Sequence, residues 1–469
     1  MTTPRNVVFV LTDQQKHRTL GCTGSPMAST PHLDRLAAGG LNFAQHITTS
    51  PVCSPSRAGI FTGQHITQHG LWGNGCALPE TVRTVGHDFS DAGYQTAAFG
   101  KHHLDPIITR IEKPSTRGFD TWEIAEGDQQ LIDDDYFRWL RRNHPDQFVS
   151  YLTEMYVQGH DRGYASKLPE PLHLSRWCVN RACDWLEHRR DAAQPFMMYV
   201  GFFDPHHAFN PVEPWVSRFA DVPVEQPKYR DGSIDTKPAH YQGAWRGMRK
   251  TTGDRARMDA IIRAYHAMIA HVDDCIGQLL GTLARLGLDE NTTVVFSSDH
   301  GEWLGAHGLL WKGPYLADDL LHVPMLIAPA DGRGSGRVVD RLTSSVDLRA
   351  TLLQLAGLPA PEMLGDVHPL ADASLTPLPR GERPYVIAEW ESNRDDAAGS
   401  QRCLRTATHK LVHYPGSDVG ELYDLVADPG EFTNRYDDPA MRDVRDRLFE
   451  QLQQHGIRPR PDVPCLGGW

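Results

Sequence analysis

Five short apolar runs, at 6–12, 95–99, 196–202, 292–298 and 323–328, are separated by stretches with helical periodicity. Runs of this length bounded by turn residues read as strands. Their alternation with helices predicts βαβ units in a mostly parallel sheet covered on both faces. The clearest helix spans 255–286: Ile261, Tyr265, Met268, Val272, Ile276, Leu279 and Leu283 step by three and four, and Gly287 supplies the stop. At 469 residues the chain exceeds one simple core, so a large α/β domain with a smaller companion is expected. The Pro-rich segment 375–381 reads as a linker and divides the chain into residues 1–378 and 379–469. Beyond it, 385–390 and 410–413 read as strands and 441–454 as a helix, a small α+β unit with an antiparallel sheet.

In open α/β sheets, ligands gather outside the carboxyl ends of the strands. Asp13 follows the first run, Lys101 and His103 the second, Asp204 to His207 the third, and Asp299-His300 the fourth. Asp13 with Gln14, and Asp299 with His300, look like two halves of a metal site. Carboxylate and carbonyl oxygens suit calcium, and the single imidazole leaves room for manganese. Singly, Asp13 reads equally as a cap and Asp299 as a turn residue; their combination points to a metal.

A formal net charge of −12 argues against nucleic acid or an anionic membrane as partner, and makes isolated cations informative. Eight cysteines without a CxxC pair do not form a disulfide framework. The apolar run at 7–11 is too short for a signal h-region or a membrane span, so a cytoplasmic protein is expected. No self-association seam is visible, which leaves a homo-oligomer open.

The pentapeptide Cys53-Ser54-Pro55-Ser56-Arg57 follows a loop and leads into Ala58-Gly59-Ile60-Phe61-Thr62-Gly63. Pro55 suits a first helical turn, where its missing N–H costs nothing. Cys53 is then expected at a helix N-terminus, among unpaired N–H groups that favour an anion. Arg57, one turn on, offers a planar, permanently charged fork to an oxyanion. By itself Cys53 is equally a buried structural thiol.

Taken together, the segments resemble the formylglycine-dependent sulfatases of the alkaline phosphatase superfamily. Thr12-Asp13-Gln14, residues 30–37 and 53–63, Gly100-Lys101-His102-His103, Asp204-Pro205-His206-His207 and Ser298-Asp299-His300-Gly301 occur in that family's order. So do 307–312, Val346-Asp347-Leu348, and 421–425 with Asp428-Pro429, across nearly the whole chain. The resemblance implies an alkaline phosphatase-like α/β sandwich: a large, mostly parallel mixed sheet flanked by helices, with a smaller C-terminal α+β subdomain beside it. It further implies that Cys53, in a Cys-x-Pro-x-Arg signature, is oxidised to formylglycine (3-oxoalanine) by a formylglycine-generating enzyme.

Roles follow by position in the family pattern. Asp13, Gln14, Asp299 and His300 match the shell of a divalent cation, with the converted Cys53 side chain touching the ion. Arg57 matches the residue that orients the nucleophile. Lys101, His206 and Lys312 match the groups that hold sulfate and stabilise the departing oxygen, and His103 matches the base that deprotonates the second hydroxyl of the hydrate. Asn74 resembles a polar substrate contact in the choline sulfatase and phosphonate monoester hydrolase branches, and is equally a turn former beside two glycines. His207 reads equally as a participant or a neighbour, and His307 as a residue just behind the site or a satisfied loop histidine. Gln14 stands where many sulfatases carry a second aspartate, so one formal charge is missing from the shell.

The expected reaction is hydrolysis of a sulfate monoester to alcohol and sulfate. A phosphonate monoester or phosphodiester hydrolase on the same site is the alternative, and an unmodified anion-binding protein with an intact Cys53 is the non-enzymatic one. The alcohol is unassigned, with specificity expected in loops 107–163 and 213–253.

Overall fold

A computed structural model of the chain describes residues 5–106, 115–127, 134–159, 163–360, 367–378, 383–392, 398–456 and 463. Its large sheet contains β1 (Asn6–Thr12), β2 (Leu41–Ile47), β3 (Gln95–Gly100), β4 (Thr121–Ile124), β5 (Phe196–Gly201), β6 (Thr292–Ser298), β7 (Met325–Pro329) and β8 (Arg337–Ser344). The order is β4-β3-β5-β1-β6-β7-β2-β8. The first five in that order run parallel, β7 runs antiparallel to β6 and β2, and β8 is parallel to β2.

All seven residues of β1 are buried, because helices cover both faces. Alternate side chains serve opposite cores. Val8 and Val10 join Tyr265, Met268 and Leu279 of the helix Arg255–Arg285, while Val7, Phe9 and Leu11 join Ile60 and Phe61 of the helix Cys53–Thr62. Among the described residues no helix is long and apolar enough to cross a membrane.

A second sheet, β9 (Val386–Trp390), β10 (Gln401–Arg405), β11 (His409–His413) and β12 (Gly420–Asp424), is an antiparallel meander. Leu448 and Leu452 of the helix Arg442–His455 cover Ile387, Leu404, Leu411 and Leu422 on one face. On the other, Val386, Ala388, Cys403 and Val412 pack with Ile47, Leu316, Leu321 and Leu342. The expected elements are present with small shifts: of the run at 323–328 the strand proper begins at Met325, Pro324 having no N–H for a ladder, while the Val323 N–H donates to the His46 carbonyl at 3.1 Å. Strands β2, β4, β8, β10 and β12 were not anticipated. Of the expected linker, 379–381 lie outside the described residues, while 375–378 belong to a turn closed by a bridge between Ala371 and Pro377.

Buried ions tie the second sheet to the first. The Lys410 ammonium, fully enclosed, contacts Asp318 Oδ1 at 3.1 Å and also pairs with Glu431. Arg405 reaches Asp318 Oδ2 at 3.2 Å, and Lys237 donates to Tyr423 Oη and the Glu431 carbonyl, both at 2.9 Å. Removing one partner of such a network leaves buried charge uncompensated. Lys410→Met is expected to lower the unfolding free energy by about 3–5 kcal/mol. Denaturant melts check this, and a loss under about 0.5 kcal/mol, the range of an ordinary surface substitution, would show the network to be dispensable.

Candidate active site

The site lies where β1, β3, β5 and β6 end at their carboxyl edges. Cys53 is the first residue of its helix and wholly buried, with Val52 in extended conformation before it. Val52 provides no side-chain cap; instead Asn74 Oδ1 accepts from the Ser54 N–H at 3.0 Å. Cys53 Sγ is 3.3 Å from His300 Nε2, 3.7 Å from Asp13 Oδ1 and 4.0 Å from Lys101 Nζ.

Arg57, on the next turn and 0% exposed, holds the two aspartates apart. Nε donates to Asp299 Oδ2 at 2.8 Å, and Nη2 to Asp13 Oδ2 at 3.1 Å. Nη1 donates to the Lys101 carbonyl at 2.8 Å and to Tyr199 Oη at 2.9 Å. The Lys101 ammonium lies 2.8 Å from Asp13 Oδ2. Gly201 makes room for this packing, because a Cβ there would come within 2.2 Å of the Lys101 carbonyl.

One oxygen of each aspartate is left facing His300, whose Nε2 is 3.8 Å from both Asp13 Oδ1 and Asp299 Oδ1. His300 Nδ1 lies 2.9 Å from the Gly301 carbonyl, which can only accept, so Nδ1 carries the proton and the Nε2 lone pair is turned inward. Ligand atoms of Asp13, Cys53, Asp299 and His300 thus converge within 4.8 Å of one another. Inward-facing acceptors of this kind fit a divalent cation. The electrostatics agree. Burial acts to lower the His300 pKa, yet Asp299 and Cys53 hold it above its ordinary value, so the cluster draws positive charge. Burial acts to raise Asp13, but Lys101, Lys312, His206 and Arg57 keep it well below the carboxylate range.

Gln14, in left-handed backbone (φ 66), turns its amide into the same space. Its Oε1 accepts from Lys312 Nζ at 2.8 Å, while Nε2 bonds Glu302 and lies 3.0 Å from His207 Nδ1. Lys312 Nζ also donates to His206 Nε2, and His206 Nδ1 bonds the His207 carbonyl. Burial and the Lys312 charge push the His206 pKa well down, which favours the neutral imidazole. His103 (φ 57) presents an Nδ1 that is buried without a hydrogen-bond partner. Burial, then Lys101 and Arg57, push its pKa well down.

Every residue singled out in the sequence for metal, nucleophile or sulfate contact therefore lies in or beside one buried cluster. His207 joins it through Gln14; His307 does not, as its Nε2 meets the Gly430 carbonyl at 2.9 Å. Two participants were missed. Glu302 fixes which way the Gln14 amide points, and its signal was an acid directly after Asp299-His300-Gly301. Tyr199, whose hydroxyl donates to the Lys101 carbonyl at 2.6 Å, hides inside an apolar strand.

A buried cysteine at a helix N-terminus, beside converging metal-capable side chains and ringed by Lys and His, on a mixed sheet with a small second sheet, is the arrangement of an alkaline phosphatase-like hydrolase. The sulfatase family model matches residues 5–358, and the model for the C-terminal part of N-sulphoglucosamine sulphohydrolase matches 305–457. The chain belongs to the sulfatase family. It is 34% identical over 461 residues to the uncharacterized sulfatase YidJ of Escherichia coli (strain K12), covering 95% of this chain and 86% of that protein. It is 27% identical over 470 residues to an arylsulfatase of Clostridium perfringens, covering 95% and 93%. Among solved structures it is similar to the phosphonate monoester hydrolase of Agrobacterium radiobacter, with TM-score 0.80, 25% identity, and 96% and 95% of the two chains covered.

Asn74 serves the nucleophile helix as a cap, so Asn74→Ala is expected to cost about 0.5–2 kcal/mol of stability. Thermal and denaturant melts measure that cost. Unchanged stability with a raised KM would instead make Asn74 a substrate contact alone.

Proposed function

We propose that the chain hydrolyses a sulfate monoester to an alcohol and inorganic sulfate, using Cys53 after its oxidation to formylglycine. The convergence of Cys53 Sγ with Asp13, His300 and Lys101 at a buried helix N-terminus carries this reading. The aldehyde hydrate supplies one hydroxyl to attack sulfur and a second whose deprotonation later expels sulfate. A cation held by Asp13, Gln14, Asp299 and His300, calcium by its oxygen ligands with manganese as the alternative, supplies Lewis acidity to the sulfate oxygens.

The other residues bind, orient and move protons. Lys101 and Lys312 hold the sulfate, and His206 contacts the oxygen that departs. Because His206 is neutral and accepts from Lys312, the proton for the leaving oxygen comes from Lys312 Nζ. The unpartnered, neutral His103 Nδ1 takes the proton of the second hydroxyl. Arg57 is a positioning residue, since its N–H groups are engaged by Asp13, Asp299, Lys101 and Tyr199.

Conversion of Cys53 requires a formylglycine-generating enzyme as partner. A cytoplasmic setting and a division into a catalytic unit (1–378) and a C-terminal unit (379–469) complete the reading. A phosphonate monoester or phosphodiester hydrolase is the second reading, favoured by the likeness to the Agrobacterium radiobacter enzyme.

Peptide mapping of active protein is expected to find an aldehyde in place of the Cys53 thiol, and Cys53→Ala to abolish turnover while the fold melts normally. Full activity with an intact thiol would falsify the formylglycine mechanism. Nitrophenyl sulfate is expected to turn over faster than a phenylphosphonate monoester; the reverse order selects the second reading. Loss of the Lys312 ammonium in Lys312→Ala is expected to lower kcat by about 10²–10³-fold, as for other preorganised transition-state contacts. Steady-state kinetics would refute this role if only KM moved.

A further inference from the structure

A second cluster of ligating side chains lies behind the His206 loop, outside the site just described. It comprises His173, which caps the helix Leu174–Asp184; Asp204, just beyond β5; and His271, in the helix Arg255–Arg285. Their relative exposures are 4%, 3% and 1%. One ligand atom from each lies within 4.8 Å of the other two.

The hydrogen bonds determine where the lone pairs point. His173 Nδ1 accepts from the Ser175 N–H at 3.3 Å, so it is unprotonated. It faces Asp204 Oδ2 at 3.8 Å, and that oxygen accepts the Ser175 hydroxyl at 2.7 Å. Two acceptors therefore face one another in the interior. Among the described residues no lysine or arginine lies within ion-pair reach of Asp204, where the described pair is the one with His173. His271 Nε2 donates to Glu170 Oε1 at 2.9 Å, so the tautomer that this bond selects carries its lone pair on Nδ1. An outer carboxylate that fixes the tautomer of a histidine in this way is a recurrent feature of metal sites. Arg176 in turn holds Glu170 Oε1 at 2.7 Å, and Trp215 stacks on the His271 ring at 5.5 Å.

We propose that His173, Asp204 and His271 form a second, buried cation site for a zinc-type transition metal. Two imidazoles and one carboxylate suit zinc, with water as fourth ligand, whereas calcium wants more oxygens than the cluster offers. Bound there, the ion neutralises Asp204 and joins the start of the 204–207 segment to the helices Leu174–Asp184 and Arg255–Arg285. It thereby holds His206 against Lys312. The site is independent of which ester the enzyme cleaves.

Zinc and cobalt are the probes. Asp13→Asn protein, weakened at the catalytic cation site, is expected to retain one zinc per chain after dialysis, measured by elemental analysis. Asp13→Asn/His271→Ala is expected to retain none. Glu170→Gln, the milder change, is expected to weaken zinc binding by about 10–100-fold while the protein still melts cooperatively. Cobalt titration of the wild-type chain covers the case in which a variant fails to fold: a tetrahedral visible band that persists in excess calcium supports the site. Zinc-free Asp13→Asn protein that is folded, or a wild-type cobalt band abolished by calcium, overturns it.

Discussion

Two carboxylates, Asp13 and Asp299, are sealed from water at the ends of adjacent strands, and Arg57 is what makes this tolerable. Isolated buried charges cost several kcal/mol each unless they are paired and hydrogen-bonded. The guanidinium spans both acids at 2.8 and 3.1 Å, and its remaining donors reach the ends of β3 and β5 through Lys101 and Tyr199. One side chain thus ties four strand ends to the first turns of the helix that carries Cys53. It satisfies one oxygen of each aspartate; Asp13 Oδ1 is left facing the cluster, while Asp299 Oδ1 also accepts the Gln14 and His300 N–H groups at 3.0 and 2.8 Å. Lysine could not do this, because a point charge lacks the fork that reaches several acceptors in fixed directions.

The parallel strands were legible because β1, β5 and β6 are buried on both faces and read as unbroken apolar runs. Strand β8 was not: its first half is mostly exposed, and Arg337, Asp340 and Arg341 interrupt the apolar run. Strand β2, Leu41–Ile47, mixes amide and imidazole groups into its sequence for the same effect. The active site was legible because its residues follow strand ends in short motifs. The cluster of His173, Asp204 and His271 was invisible, since three separate elements bring it together and no spacing announces it. Glu302 shows a third kind of blindness: its role lies in the direction of one amide, which only the fold specifies.

Charge distribution explains how an acidic chain handles an anionic ester. The net charge of −12 is a property of the whole sequence, whereas Lys101, Lys312 and Arg57 are concentrated around one nucleophile. In a buried setting their fields are weakly screened, so a few cations outweigh distant surface acids. Burial and the same field push the His103 and His206 pKa values well down, which suits both rings to receive a proton in the proposed reaction. Sulfate monoesters and phosphodiesters carry similar charge, so this arrangement serves both. Discrimination between them falls to groups that contact the remainder of the substrate.

Gln14 bears on the metal as well. In the proposed cation site an aspartate at this position would bring a third carboxylate, and the amide would serve as an oxygen ligand without the charge. The amide can present Oε1 inward only because Nε2 is claimed by Glu302 and His207. An aspartate would offer Glu302 no donor and place two buried acids against each other. Glu302 is itself built to accept: the Leu304 and Trp311 N–H groups donate to Oε1 at 2.9 and 2.5 Å while Gln14 donates to Oε2. Burial pushes its pKa up and these three donors act against that rise. A carboxylate absent at position 14 is thus found one hydrogen bond further out, at Glu302. Gln14 and Glu302 form a single unit, and changing either alone would turn the amide or strand an acid.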